Sequence, residues 1–262
     1  MERHGRGKGK RRLLGSHQKC WLWGRNVVIE TLSAGRWEIL DLFLAESLEK
    51  EQLDEGLRLA HAQGVPAHVE PAELLRGLCH TSEHQGFLAR MTEFPYADER
   101  QVLDSLVDPS FSVILDGIQD PYNFGAIIRS AEVFGAQALI IPTAGQVGVT
   151  SMVARSSVGA VNRVPIARSQ SLDRTVDDLR RRGVAVVAAS EKATHLLPEY
   201  AFDRSFSIVV GNEGKGISRG LLERCDCTLR IPQKGTIGSL NAAVAAGIFF
   251  YEVSRQRQLP RP

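Results

Sequence analysis

The sequence lacks most of what would staple or anchor a chain other than through an ordinary core. Only four of its 262 residues are cysteine, Cys20, Cys79, Cys225 and Cys227. None forms a C-x-x-C pair of the zinc-ribbon kind, and a cytosolic compartment argues against disulfides, so the four read as packing residues. One cluster resembles metal ligands, Cys79, His80 and His84 in CHTSEH, but no fourth ligand is spaced nearby and no metal is expected. Long apolar runs are missing as well. The longest, LNAAVAAGIFFY from Leu240 to Tyr251, has 12 residues, whereas a bilayer span takes roughly 20, so no membrane partner is expected. The basic N-terminus, MERHGRGKGKRRLLG, is not followed by the apolar core of a secretory signal, which leaves a cytoplasmic location as the expectation. What is present is ordinary: 24 % charged and 43 % hydrophobic residues describe a chain that buries a normal core in one large or two medium domains.

A formal net charge of +2 conceals a division along the chain. Residues 1–12 carry six basic and one acidic side chain, residues 13–108 eight basic and sixteen acidic, and residues 109–262 eighteen basic and thirteen acidic. Tail and C-terminal half are therefore electropositive, and a polyanion such as RNA is drawn there.

Residues 1–19 are rich in Gly, Lys and Arg without apolar period and read as a flexible basic arm. From residue 20 to 93 the pattern predicts a small α/β unit. Its helices lie near Arg25–Ser33, Leu48–Gln63 and Pro71–Leu78, and its strands near Ile39–Ala45, Pro66–Val69 and Gly86–Met91. Residues 94–109, with two prolines and four acids around one weak helical stretch, read as a linker. A second domain, 110–262, opens with the strand Phe111–Leu115 and a helix from Gly125 to Phe134. Strands follow near Ala138–Ile141, Val184–Ala189, Phe206–Val210 and Thr228–Ile231, with a helix at Thr175–Arg182 and a long final helix near Ser239–Arg257. Strand-helix-strand spacing implies parallel crossovers, hence a five- or six-stranded, mostly parallel sheet with ligands at the carboxyl ends of its strands.

Three strand-end loops hold the informative polar residues. In DGIQDPYNFG, Asn123 supplies an amide, and Arg129 follows on the opening turn of the helix; capping by Asn123 and a solvated Arg129 explain the same residues. In GNEGKG, the glycines let backbone amides approach a ligand and Glu213 meets polar groups. The spacing matches neither a P-loop nor G-x-G-x-x-G, which disfavours an ordinary nucleotide site. In IPQKGTIGSLN, Ser239 and Asn241 open the last helix, where capping is also expected.

Together DPYNFGAIIRSAEVFGA, IVVGNEGKGIS and LRIPQKGTIGSLNAAVAAGIFFYE resemble the three ordered motifs of the SpoU (TrmH) family of RNA ribose 2′-O-methyltransferases. The resemblance covers about 150 residues from Ser110 onward. RNVVIETL from Arg25 and HQGFLA from His84 resemble the small substrate-binding domain of the 23S rRNA guanosine branch. The resemblance implies a SPOUT-type fold, a mostly parallel sheet tied in a trefoil knot behind a small N-terminal α/β RNA-substrate-binding domain. It also implies a homodimer through the knot region, with Ile248, Phe249 and Tyr251 of the final helix at the contact. The methyl donor is S-adenosylmethionine, held by Val210, Gly211, Ile231, Pro232, Ser239 and Leu240. Arg129, Asn123, Glu213, Ser239 and Asn241 are the implied catalytic residues, and Arg25, Asn26, His84, Gln85 and Arg129 the RNA contacts. The substrate implied is 23S rRNA, free or in a pre-ribosomal particle, with tRNA methylation or binding without catalysis as alternatives. Gly238, and Ala242-Ala243 after Asn241, depart from the Ser and Val-Ser that many relatives carry.

Overall fold

The computed structural model describes residues 13–14, 20–236 and 238–258. Most of the expected basic arm lies outside the described residues. Leu13 and Leu14 do not belong to a loose arm: Leu13 bridges to Thr92, and the amide of Leu14 donates to Met91 at 3.2 Å. The buried side chain of Leu14 explains the attachment.

The chain divides into two compact units between Pro95 and Tyr96. The first runs β1 (Trp21–Trp23), α1 (Arg25–Ala34), β2 (Ile39–Ala45), α2 (Lys50–Gln63), β3 (Ala67–Glu70), α3 (Ala72–Cys79) and β4 (Phe87–Met91). Its sheet has the order β1-β4-β2-β3; β2 and β3 are parallel and the other pairings antiparallel. Alternation along β2 buries Leu42 and Leu44 while Asp41 and Phe43 stay partly accessible, the period expected of a pleated strand. β1 escapes sequence analysis because three residues are too few to show a period.

The second unit continues with α4 (Glu99–Asp104), β5 (Phe111–Asp116), α5 (Pro121–Val133), β6 (Ala138–Pro142), α6 (Ser151–Ser156), β7 (Ile166–Ser169) and α7 (Leu172–Arg181). Then come β8 (Ala185–Ala189), β9 (His195–Leu196), β10 (Phe206–Gly211), α8 (Arg219–Leu222), β11 (Cys227–Arg230) and α9 (Ala242–Gln258). The expected linker is a correction here. From Tyr96 on it belongs to this unit, because Ala97 pairs with Ala167 and Val102 and Leu103 of α4 are buried.

The sheet is larger than the sequence pattern suggests, with seven strands in the order β7-β6-β5-β10-β8-β11-β9 and every pairing parallel. β7 and the two-residue β9 supply the excess. Central strands read FSVIL and FSIVV without alternation because both faces are covered. One face packs Ile114, Val186 and Val209 under Leu172, Val176 and Leu179 of α7. Elsewhere in the core Phe111 stacks on Phe206 and meets Phe250 of α9 edge-on. That strand order positions the site. β10 lies between β5 and β8, and Gly211 is in register with Asp116, so the loops leaving β5, β8, β10 and β11 emerge at one end of the sheet.

Candidate active site

α5 begins earlier than the sequence pattern predicts. Asp120, not Asn123, is its cap, accepting from the amides of Tyr122 (2.6 Å) and Asn123 (3.0 Å) ahead of Pro121 in the first turn. The side chain of Asn123 is thereby released from capping. Its Nδ2 donates to Glu213 Oε1 at 2.9 Å, and its Oδ1 accepts from Asn241 Nδ2 at 2.9 Å. One amide thus joins the three sequence motifs, which lie 90 and 118 residues from it along the chain. Asn241 also caps α9, accepting from the amides of Ala243 (2.9 Å) and Val244 (3.2 Å), so capping and bridging coexist.

The GNEGKG loop is closed on itself. Asn212 and Gly216 exchange backbone hydrogen bonds of 3.0 and 2.9 Å, and Asn212 Oδ1 accepts from the amides of Gly214 and Lys215. Asn212 Nδ2 donates to the carbonyl of Gly117 at 2.7 Å, a second tie to the first loop. At Gly211 the backbone crosses so closely that a Cβ would lie 2.3 Å from Gly216 C and Ile217 N.

Beside this network opens a cavity of about 200 Å³. Val210, Gly211, Glu213, Ile231, Ser239 and Leu240 line it; Pro232, Asn123, Asn241 and Arg129 do not. Leu229, Ala245 and Phe249 add apolar wall, and Glu191 and Glu213 add carboxylates. The loop after β8, Ser190-Glu191-Lys192, also lines the cavity and was missed from sequence. Its signal was present: the run VAVVAA ends in three polar residues at a strand's carboxyl end. Mixed apolar wall, backbone and carboxylates suit a zwitterionic ligand bearing an aromatic ring.

Arg129 stands in the third turn of α5, not the opening turn, about 9 Å beyond Asn123 along the helix axis. It is exposed and makes no hydrogen bond or ion pair among the described residues. With Tyr122 and Val133, 60 % and 65 % exposed, it forms one stripe of the helix.

In the first unit, Arg25 pairs with Glu55 at 2.7 Å, and its backbone amide donates to Gln85 Oε1 at 3.1 Å. His84 is buried, its Nδ1 accepting from the amide of Gly86 at 3.1 Å, while Asn26 and Gln85 are exposed. Among the described residues no group of three or more His, Cys, Asp or Glu is placed to hold a metal ion. Burial, reinforced by Asp226, pushes the Cys225 thiol up to about 12, which keeps it an inert packing group.

Replacing Asn123 by aspartate sets a carboxylate against Glu213 in place of a donor while keeping the acceptor for Asn241. Misalignment of the bridge should slow turnover about 10- to 100-fold, the equivalent of roughly 1–3 kcal/mol for a lost and reversed hydrogen bond. Single-turnover rates check it.

A parallel α/β sheet with a ligand cavity at its strand ends, coupled to a small α/β unit, defines a ligand-binding α/β enzyme with an accessory domain. The family model described as "SpoU rRNA Methylase family" matches residues 110–251, and that described as "RNA 2'-O ribose methyltransferase substrate binding" matches residues 21–97. A putative TrmH family tRNA/rRNA methyltransferase, YacO, of Bacillus subtilis is 36 % identical over 92 % of this chain and 98 % of its own length. The 23S rRNA (guanosine-2'-O-)-methyltransferase RlmB of Coxiella burnetii is 37 % identical over 92 % of this chain and 97 % of its own. The crystal structure of the SpoU methyltransferase AviRb from Streptomyces viridochromogenes in complex with AdoMet superposes with a TM-score of 0.78 at 25 % identity, covering 94 % of this chain and 95 % of that one. The chain belongs to the SpoU family and is an RNA ribose 2′-O-methyltransferase.

Proposed function

We propose that this protein transfers a methyl group from S-adenosylmethionine to the ribose 2′-oxygen of a guanosine in 23S rRNA, free or in a pre-ribosomal particle, in the cytoplasm. The observation that carries the reading is the Glu213–Asn123–Asn241 chain, which ties the three motifs together beside the cavity. The 23S guanosine is supported by the Coxiella relative, and an RNA substrate by the substrate-binding model across residues 21–97.

S-adenosylmethionine, when bound, supplies a methyl already activated on cationic sulfur. Val210, Gly211, Ile231, Ser239 and Leu240 form the holding surface, with Pro232 as neighbouring backbone, and Glu213 offers a carboxylate to the cationic part. Asn123 and Asn241 fix the ribose. Arg129 takes the target phosphate in its planar fork and stabilises the alkoxide as it forms, since a guanidinium does not give up its proton near neutral pH. The 2′-proton leaves through phosphate or water. Placing oxygen and methyl in line within about 3–3.5 Å is the larger task. Arg25, Asn26 and Gln85 are the RNA-facing groups of residues 20–93, with His84 setting the local backbone, and residues 110–262 are the catalytic domain.

The knot and the dimer belong to the same proposal. α5 exposes Tyr122 and Val133, and α9, packed against it, exposes Val244 (52 %) and Tyr251 (56 %). Exposed apolar side chains on two adjoining helices support a contact between copies there. Phe249 is not part of it, because its side chain is 1 % exposed and belongs to the core. Val244→Asp with Tyr251→Asp should yield a monomer with unchanged far-ultraviolet circular dichroism. A dimer persisting in sedimentation would refute this interface.

The test of function is incubation with methyl-labelled donor and separate ribosomal and transfer RNA fractions, followed by mapping of ribose methylation. Label in a 23S guanosine ribose is the expected result. Label in tRNA alone selects the other substrate, and donor binding by calorimetry without any transfer selects a binding-only protein.

A further inference from the structure

The charge excess of residues 109–262 is not spread evenly over the fold. On α7 and α8 three arginines are consumed by neighbours: Arg180 pairs with Asp226 at 2.8 Å, Arg219 with Glu223 at 2.7 Å, and Arg181 with Asp178. An ion pair at such distances presents a dipole, whose field falls off faster than that of a lone charge and adds little to attraction of a polyanion. The cations around the cavity are different. Lys192 after β8, Lys215 after β10 and Arg230 at the end of β11 all line it, and none has an ion-pair partner among the described residues. They come from three separate strand ends, so their convergence is a product of the strand order and not of a basic run in the sequence.

The methyl donor does not account for them. S-adenosylmethionine carries one carboxylate against two cationic centres, an ammonium and a sulfonium, so one cation at most is matched by the ligand and the others repel it. Two carboxylates, Glu191 and Glu213, share the same cavity and suit the donor's positive part. Unpaired cations left at the edge of such a site call for a polyanion passing over its mouth.

We propose that Lys192, Lys215 and Arg230 hold the phosphates of the RNA strand flanking the target nucleotide, laying that strand across the ends of β8, β10 and β11. The inference rests on the RNA-methyltransferase reading and names the groups that guide the substrate to its cavity. Each contact displaces condensed counterions, so each should add about 0.7 to the slope of log affinity against log salt for a single strand.

The experiment titrates the full-length protein with fluorescein-labelled polyuridylate over a range of salt, comparing the parent, Lys192→Ala, Lys215→Ala, Arg230→Gln, the triple variant and Arg219→Ala. Donor affinity is measured on the same samples by calorimetry. The slope should fall by about 0.7 per cation removed and by about 2 in the triple variant, with Arg219→Ala unchanged. An unchanged slope overturns the proposal, as does a slope that falls equally in Arg219→Ala. Loss of donor affinity with the RNA slope intact also overturns it, because the cations would then serve the donor's carboxylate. Failure of the parent itself to bind RNA, with donor binding retained, strikes at the functional reading instead.

Discussion

Arg129→Lys should lower the rate of methyl transfer about 10²- to 10³-fold while donor affinity remains within about twofold of the parent. The magnitude is that of removing one preorganised donor to developing negative charge. Lysine keeps the charge but not the planar fork, so a loss this large identifies bidentate positioning as the contribution. Donor affinity should hold because Arg129 does not line the cavity. Single-turnover rates with saturating donor, alongside calorimetry, check both halves. A modest loss with a retained pH plateau would mean that charge alone suffices, and the fork would have to be abandoned.

Gly211→Ala should be the most damaging small substitution in the donor loops. The added methyl carbon would stand 2.3 Å from Gly216 C and Ile217 N, backbone atoms that cannot rotate aside. Overpacking of this kind costs roughly 1–3 kcal/mol. Here the strain falls on the Asn212–Gly216 closure, which sets Glu213 against Asn123. Thermal unfolding should shift down, and calorimetry should find donor binding weakened more than tenfold. Gly214→Ala serves as the control, since the nearest atom to its added carbon is Asn212 Oδ1 at 3.6 Å. Equal behaviour of the two variants would show that crowding at Gly211 is not what holds the loop.

Much of this site was legible as sequence because its chemistry sits in short local motifs. DPYNFG, GNEGKG and GTIGSLN each place a polar side chain between turn-forming residues at the end of an apolar run, a pattern that needs no tertiary information. What could not be read was which duties exclude one another. Asn123 and Asp120 are both good caps; only the chain path shows Asp120 taking the amides and Asn123 turning to Glu213. Arg129 reads as an opening-turn residue until the cap moves the helix start to Pro121. The resemblance makes His84 an RNA contact, whereas in the fold its ring accepts from the amide of Gly86.

Element type along the chain follows from periodicity, since burial on one face or two imposes its period on the residues themselves. By itself the sequence therefore determined the two-part α/β organisation, the parallel character of the second sheet and the three polar loops. The tertiary structure alone decided that β10 enters between β5 and β8, that the Ser190–Lys192 loop joins the cavity, and that Lys192, Lys215 and Arg230 meet there while Arg180, Arg181 and Arg219 are neutralised. Strand order and ion pairing depend on contacts between residues far apart in the chain, and no local pattern carries that information.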